Sequence, residues 1–141
     1  MANALNRALG VDLDSFTSER IREDAFGLEP LVSVLVGEID GKLAGYALYH
    51  PGYDSDVAAR NLVVVDLYVD AEMRGRGLGQ ALMAGLAREA LRLGARSMTG
   101  GVLDSNAKAL AFYRSLGAAE DGVRFVTLRE EALRALADGE L

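Results

Sequence analysis

Cysteine and tryptophan are absent from this 141-residue chain, and it carries one histidine and two prolines. Without cysteine there can be no disulfide, no thiolate metal site and no cysteine nucleophile. A lone histidine, His50, cannot assemble a metal centre by itself, so no metal is expected; ahead of Pro51 and Gly52 it reads as a loop residue. No apolar run approaches the ~20 residues of a membrane helix, and no basic segment followed by an apolar stretch opens the chain. A cytoplasmic protein without a membrane partner is expected. Basic excess is also lacking: 15 Lys and Arg face 21 Asp and Glu, for a net charge of -6. Nucleic acid, which needs a basic patch, is disfavoured, and cationic small molecules are the better partners.

What is present suits one soluble globular domain over residues 1–141, with 50% hydrophobic and 26% charged residues. Such a length buries about two-thirds of the unfolded surface. Residues 2–9 form a weak helix candidate. A second helix starts at the Thr17 cap, places Ile21 and Ala25 on one face, and stops near Gly27. Residues 31–39 and 42–49 read as antiparallel strands joined through Asp40-Gly41, a strong hairpin signal. The stretch from His50 to Arg60 reads as a polar loop. Residues 61–69, "NLVVVDLYV", are β-branched enough for a strand buried on both faces. From Gly77 to Leu93, Leu78, Leu82, Leu86, Ala90 and Leu93 recur at helical spacing, with Gly94 as the stop. A fourth strand over 95–103, a helix over 106–116 closed by Gly117, a last strand over 122–128 and a charged helical tail follow. This order predicts an α/β sandwich around a mixed sheet.

The stretch "DLYVDAEMRGRGLGQALM", Asp66 to Met83, packs three glycines into five residues. No Gly-Lys pair is followed by Ser or Thr, since Gly41-Lys42 runs into Leu43, which excludes a P-loop, and Gln80 stands where a dinucleotide fingerprint needs its third glycine. What remains is a strand, a glycine loop and a helix that begins inside the loop. Successive N–H groups there and the positive helix end can hold a diphosphate, with Arg74 and Arg76 at the rim. The same residues would equally make a tight turn with solvated arginines.

In this setting "RGRGLG" resembles the acetyl-CoA motif [RQ]-x-x-G-x-[GA] of the GNAT acetyltransferase superfamily, with Arg74, Gly77 and Gly79 in the specified places. "DSNAKALAFYRSLGA", Asp104 to Ala118, is similar to that superfamily's second motif. "REDAFGLEPL", "VGEIDGKLAGYALYHPGY", "VVDLYV" and "FYRSLGA" look most like the diamine (spermidine/spermine-type) acetyltransferases. The resemblance spans roughly residues 4–137 and implies the GNAT-type mixed sheet flanked by helices. It also implies acetyl-CoA as co-substrate, held by Leu67, Tyr68, Val69, Arg74, Gly75, Arg76, Gly77, Leu78, Gly79, Gln80 and Asn106, and an amine that attacks the thioester directly. Tyr113 would protonate the departing thiolate; at helical spacing with Phe112 and Leu116 it equally suits packing. Asn106 also fits a plain helix N-cap.

The pattern has departures. The diamine group carries Glu-Asp where this chain has Val65-Asp66. Strand alternation puts Val63, Val65 and Leu67 on one face and Val64, Asp66 and Tyr68 on the other, so Asp66 can replace that glutamate only through a bulge or register change. Asp66 is accordingly either a hydrogen-bonded structural carboxylate or a catalytic one. Ser105 replaces a tryptophan common in polyamine members, and Asp104 is either an amine-binding group or a turn residue. The residues from Pro51 to Arg60 are expected to shape the acceptor site. The usual first strand is missing, which leaves the 31–39 strand open and points to a homodimer that covers it, or to a mis-assigned start or trimmed chain. The leading reading is an N-acetyltransferase acting on a small primary amine. The alternatives are a protein or peptide amine as acceptor, and a non-catalytic acyl-CoA-binding module.

Overall fold

The computed structural model describes residues 1–10 and 15–139. They fall into two compact units, residues 1–101 and 102–141. The first opens with α1 (Ala2–Ala8) and α2 (Ser18–Phe26), continues through β1 (Ser33–Ile39), β2 (Lys42–Asp54) and β3 (Ala59–Val69), and ends with α3 (Leu78–Arg92) and β4 (Ser97–Gly100). The second holds α4 (Ala107–Ser115) and α5 (Glu130–Ala137).

The four strands form one sheet in the order β1-β2-β3-β4. The β1–β2 and β2–β3 pairs are antiparallel and the β3–β4 pair is parallel, giving the mixed sheet expected. Asp40 and Gly41 both adopt positive φ, 52° and 72°, as the two-residue hairpin turn requires. Antiparallel pairing at one side of the sheet thus follows from local chain chemistry.

Each sheet face carries its own core. On one, Leu62 and Leu86, both 0% exposed, pack with Ala47, Val64, Ala90 and Ala95, so the stripe predicted for the long helix is the one α3 buries. On the other, Tyr46, Leu48 and Tyr68 pack beneath Ala2, Ala4 and Leu5 of α1 with Phe16, Val32 and Val34. Asn3 ties α1 down, its Nδ2 donating to Phe16 O and its Oδ1 accepting from Phe16 N, both at 3.1 Å. Thr17 caps α2 as expected, its Oγ1 accepting from Arg20 N at 3.1 Å.

Three expectations about elements need correction. The stretch from His50 to Arg60 is not a loop: β2 runs on to Asp54 and pairs with Ala59–Val63, so only residues 55–58 turn. Pro51 is tolerated because β1 pairing ends at Tyr49, leaving β2 a strand on one side only. The fourth strand is shorter than predicted, Ser97–Gly100. The last strand, 122–128, does not form; Val123, Phe125 and Val126 are 70%, 84% and 95% exposed. β-Propensity measures fit to a neighbouring strand and a face to bury, and this segment has neither.

Candidate active site

β3 carries the site toward its C-terminal end. Its parallel pairing with β4 stops at Val64↔Gly100, while β3 continues to Val69, so Asp66–Val69 pair with β2 alone. The same point holds a bulge. Leu48 lies opposite Asp66 and Tyr49 opposite Val64, which leaves Val65 without a partner and 45% exposed. Simple alternation is thereby broken. Val64 packs on the α3 side, whereas Asp66 shares the α1 side with Leu48 and Tyr46. Leu67 packs against the α3-side core, and Tyr68 returns to the α1 side.

Asp66 is half-buried there and accepts a hydrogen bond from the Tyr46 hydroxyl, Tyr46 Oη to Asp66 Oδ2, at 3.1 Å. Burial pushes its carboxyl above the usual range, partly opposed by the Tyr46 hydrogen bond. Burial, and then the negative charge of Asp66, push the Tyr46 hydroxyl up as well, so it stays protonated and acts as a donor. Tyr46 and Tyr68, opposite one another on the two strands, bring their rings to 6.1 Å. A cavity of about 320 Å³ opens beside Tyr68, lined also by Asp70, Ala71, Glu72 and Met73.

After a single 3-10 turn, Ala71–Met73, comes the glycine loop. Gly75 and Gly77 hold positive φ, 76° and 81°, and a Cβ at either would meet nothing within 4 Å. Gly77 is the N-cap of α3 and supplies no side chain to satisfy the free N–H groups of the first turn, which belong to Leu78, Gly79 and Gln80. Arg74 docks by one edge, its Nε donating to Val69 O at 2.9 Å and its guanidinium carbon 5.9 Å from the Tyr68 ring centroid. Arg76 reaches back to the hairpin turn, Nη2 to Asp40 Oδ2 at 3.4 Å.

Two residues outside the loop seat it, and sequence reasoning passed over both. A Cβ on Gly37 of β1 would lie 2.5 Å from Leu78 Cδ1. One on Gly45 of β2 would lie 2.7 Å from the Tyr68 carbonyl and 3.2 Å from Leu78 Cδ2. Glycine inside a strand signals close approach of a neighbour, which was the available clue.

In the second unit, Asn106 caps α4, its Oδ1 accepting from Ala109 N at 3.2 Å. Tyr113 is half-buried on the same helix, its ring edge-on to Phe112 at 5.3 Å, and burial raises its hydroxyl above the ordinary phenol value. Asp104 is exposed ahead of that helix. The turn at 55–58 lies at the opposite end of β3, an 11-residue strand, from the glycine loop.

Residues 2–118, which include this strand and the glycine-started helix, match the Acetyltransferase (GNAT) family. The chain belongs to the GNAT acetyltransferase family. It is an acyltransferase, and GNAT members take acetyl-CoA as co-substrate. Among similar proteins, a thialysine N-epsilon-acetyltransferase of Bos taurus is 34% identical over 138 residues, spanning 89% of this chain and 81% of the relative. Its Mus musculus counterpart is 35% identical over 133 residues, covering 86% and 78%. These relatives accord with the diamine-group resemblance. An integron cassette protein from the mobile metagenome of V. cholerae shares the fold with a TM-score of 0.78 at 23% identity, over 95% of this chain and 85% of that one. Among the described residues no helix is long and apolar enough to cross a membrane.

Proposed function

We propose that this acetyltransferase takes a small primary amine bearing a second polar or charged end, held by Asp66 on the α1 side of β3. The observation that carries the reading is the bulge at Val65, which turns Asp66 onto the sheet face opposite α3. Thialysine and L-ornithine, named for relatives from Bos taurus and Arabidopsis thaliana, are both amino acids with a terminal amine, which supports this acceptor class. The net charge of -6 favours a cation approaching from solution.

The residues present fit acetyl-CoA. At Gly75 and Gly77 the space that a side chain would take is open, and the uncapped first turn of α3 offers N–H groups suited to a diphosphate. The terminal nitrogens of Arg74 are the charge-assisted donors at its rim. Backbone N–H groups of Leu67 and Val69, beyond the last β4 pair, are donors for the pantetheine arm and the acetyl oxygen. Tyr68 forms the wall behind them, and Asn106 serves the pantetheine side.

When bound, the co-substrate supplies a thioester carbonyl to a free amine, and its thiolate leaves. An alkyl ammonium has a pKa of ~10, so it must lose a proton before it attacks. Asp66, as carboxylate, binds the ammonium and receives that proton directly or through water. Tyr113, kept protonated by burial, is the donor to the thiolate. Substrate is held in the cytoplasm in this reading, where acetyl-CoA is at hand. β1 is the outer strand of the described sheet, and a second copy covers it in a homodimer.

Thiol release from acetyl-CoA, followed with a thiol-reactive dye, tests the acceptor class without background because the chain has no cysteine. Saturable release with ω-amino acids or diamines is expected. Release with lysine peptides alone would move the acceptor to a protein amine.

A further inference from the structure

The carboxylate at the centre of this reading has an uncommon setting. Asp66 is half-buried on a face otherwise made of Tyr46, Leu48, Tyr68 and the apolar side of α1. No cationic side chain among the described residues forms an ion pair with it. A carboxylate placed so is costly unless hydrogen-bonded. One donor meets that need, the Tyr46 hydroxyl at 3.1 Å on Oδ2.

The geometry is diagonal. Tyr46 sits directly opposite Tyr68, and Asp66 opposite Leu48, so Tyr46 reaches across the strand pair to a residue two places along the neighbouring strand. Such diagonal neighbours lie about 7–8 Å apart at the backbone, a gap that suits a tyrosine and leaves a phenylalanine short of the carboxylate. Without the Val65 bulge, Asp66 would share the face of Val64 and the two side chains would lie on opposite sides of the sheet. Bulge and hydroxyl therefore act together.

We infer that Tyr46 is the positioning residue of the acceptor site: its hydroxyl engages one oxygen of Asp66 and aims the other at the incoming ammonium. The inference rests on the reading of Asp66 as the acceptor carboxylate. Tyr46 itself touches no reacting atom. Its hydroxyl holds its proton across the working range, since burial and the adjacent carboxylate both disfavour its loss. The ionised carboxylate can only accept, so the hydroxyl is the donor of the pair. The other ionisable groups around this wall act on Tyr68: Asp70 and Arg74 from the strand end and Arg7 from α1.

The test is a pair of variants, Tyr46→Phe and Asp66→Asn, with kcat, KM, acetyl-CoA affinity, melting temperature and pH profile measured for each. Phenylalanine keeps the buried ring and deletes only the donor. Tyr46→Phe is expected to lower kcat/KM for the amine about tenfold or more and leave acetyl-CoA affinity unchanged. The sign of the pH effect follows from the bond. Tyr46 favours the ionised carboxylate, so its removal raises the Asp66 pKa further, and the acidic limb of kcat/KM moves to higher pH. A packing role alone would leave that limb in place.

Asp66→Asn should cost ~10² or more in kcat/KM, and adding Tyr46→Phe should then cost little more. If Asp66→Asn keeps wild-type turnover, the reading of Asp66 falls, and the inference with it. If Asp66→Asn is impaired while Tyr46→Phe matches wild type in rate and pH profile, the inference alone is overturned. Equal losses from Tyr46→Phe with and without Asp66 would likewise overturn it, because the hydroxyl would then act independently.

Discussion

Tyr113 is where a single side chain has two accounts, packing and proton donation, and its environment gives them different consequences. It is half-buried beside Phe112, and burial raises its hydroxyl above the ordinary phenol value. A group that works protonated and whose pKa is raised keeps working to higher pH, so the alkaline loss of rate assigned to it lies above the usual tyrosine range. Tyr113→Phe is expected to reduce kcat by ~10² with acetyl-CoA affinity nearly unchanged, since a phenylalanine fills the same space without the proton. Steady-state rates alongside coenzyme titration check this, and wild-type turnover would return Tyr113 to packing. At Asp66 the residue type was legible from the sequence and its direction was not. Alternation assigns it to the face of Val64, and the bulge that reverses this leaves no mark in a run of consecutive valines.

Among the elements, α3 is the one whose seating decides the glycine loop. Its buried stripe, Leu82, Leu86 and Ala90, was readable from helical spacing because a helix on a sheet needs one continuous apolar face. How closely its first turn approaches was not, since that is set by Gly37 and Gly45 on strands distant in sequence. Gly45→Ala puts a methyl 2.7 Å from the Tyr68 carbonyl and against Leu78 and Leu82, so strand or helix must shift. The expected loss is about 1–3 kcal/mol in stability with weaker acetyl-CoA binding. Urea unfolding and coenzyme titration read the two, and an unchanged midpoint with unchanged affinity would remove Gly45 from this role. Hairpin and helix ends were legible for a local reason: Asp40-Gly41, Thr17, Gly94 and Gly117 fix backbone geometry without distant partners.

For the molecule as a whole, the composition and family place a small acidic acetyltransferase without a spanning helix among its described residues. Its assembly is tested in solution: sedimentation at micromolar concentration is expected to give a dimer, and a strictly monomeric profile would overturn the proposed cover of β1. The chain alone determined what depends on neighbours in sequence: the turn at Asp40-Gly41, the α3 stripe, the glycine loop, the caps, and the absence of any cysteine chemistry. Tertiary structure decided what depends on pairing across the chain. β2 continued through Pro51 because β3 was there to receive it; residues 122–128 formed no strand because propensity without a partner does not make one. Asp66 met Tyr46 only because a bulge in one strand changed which residues of the other it faces, a relation between strands that neither strand encodes by itself.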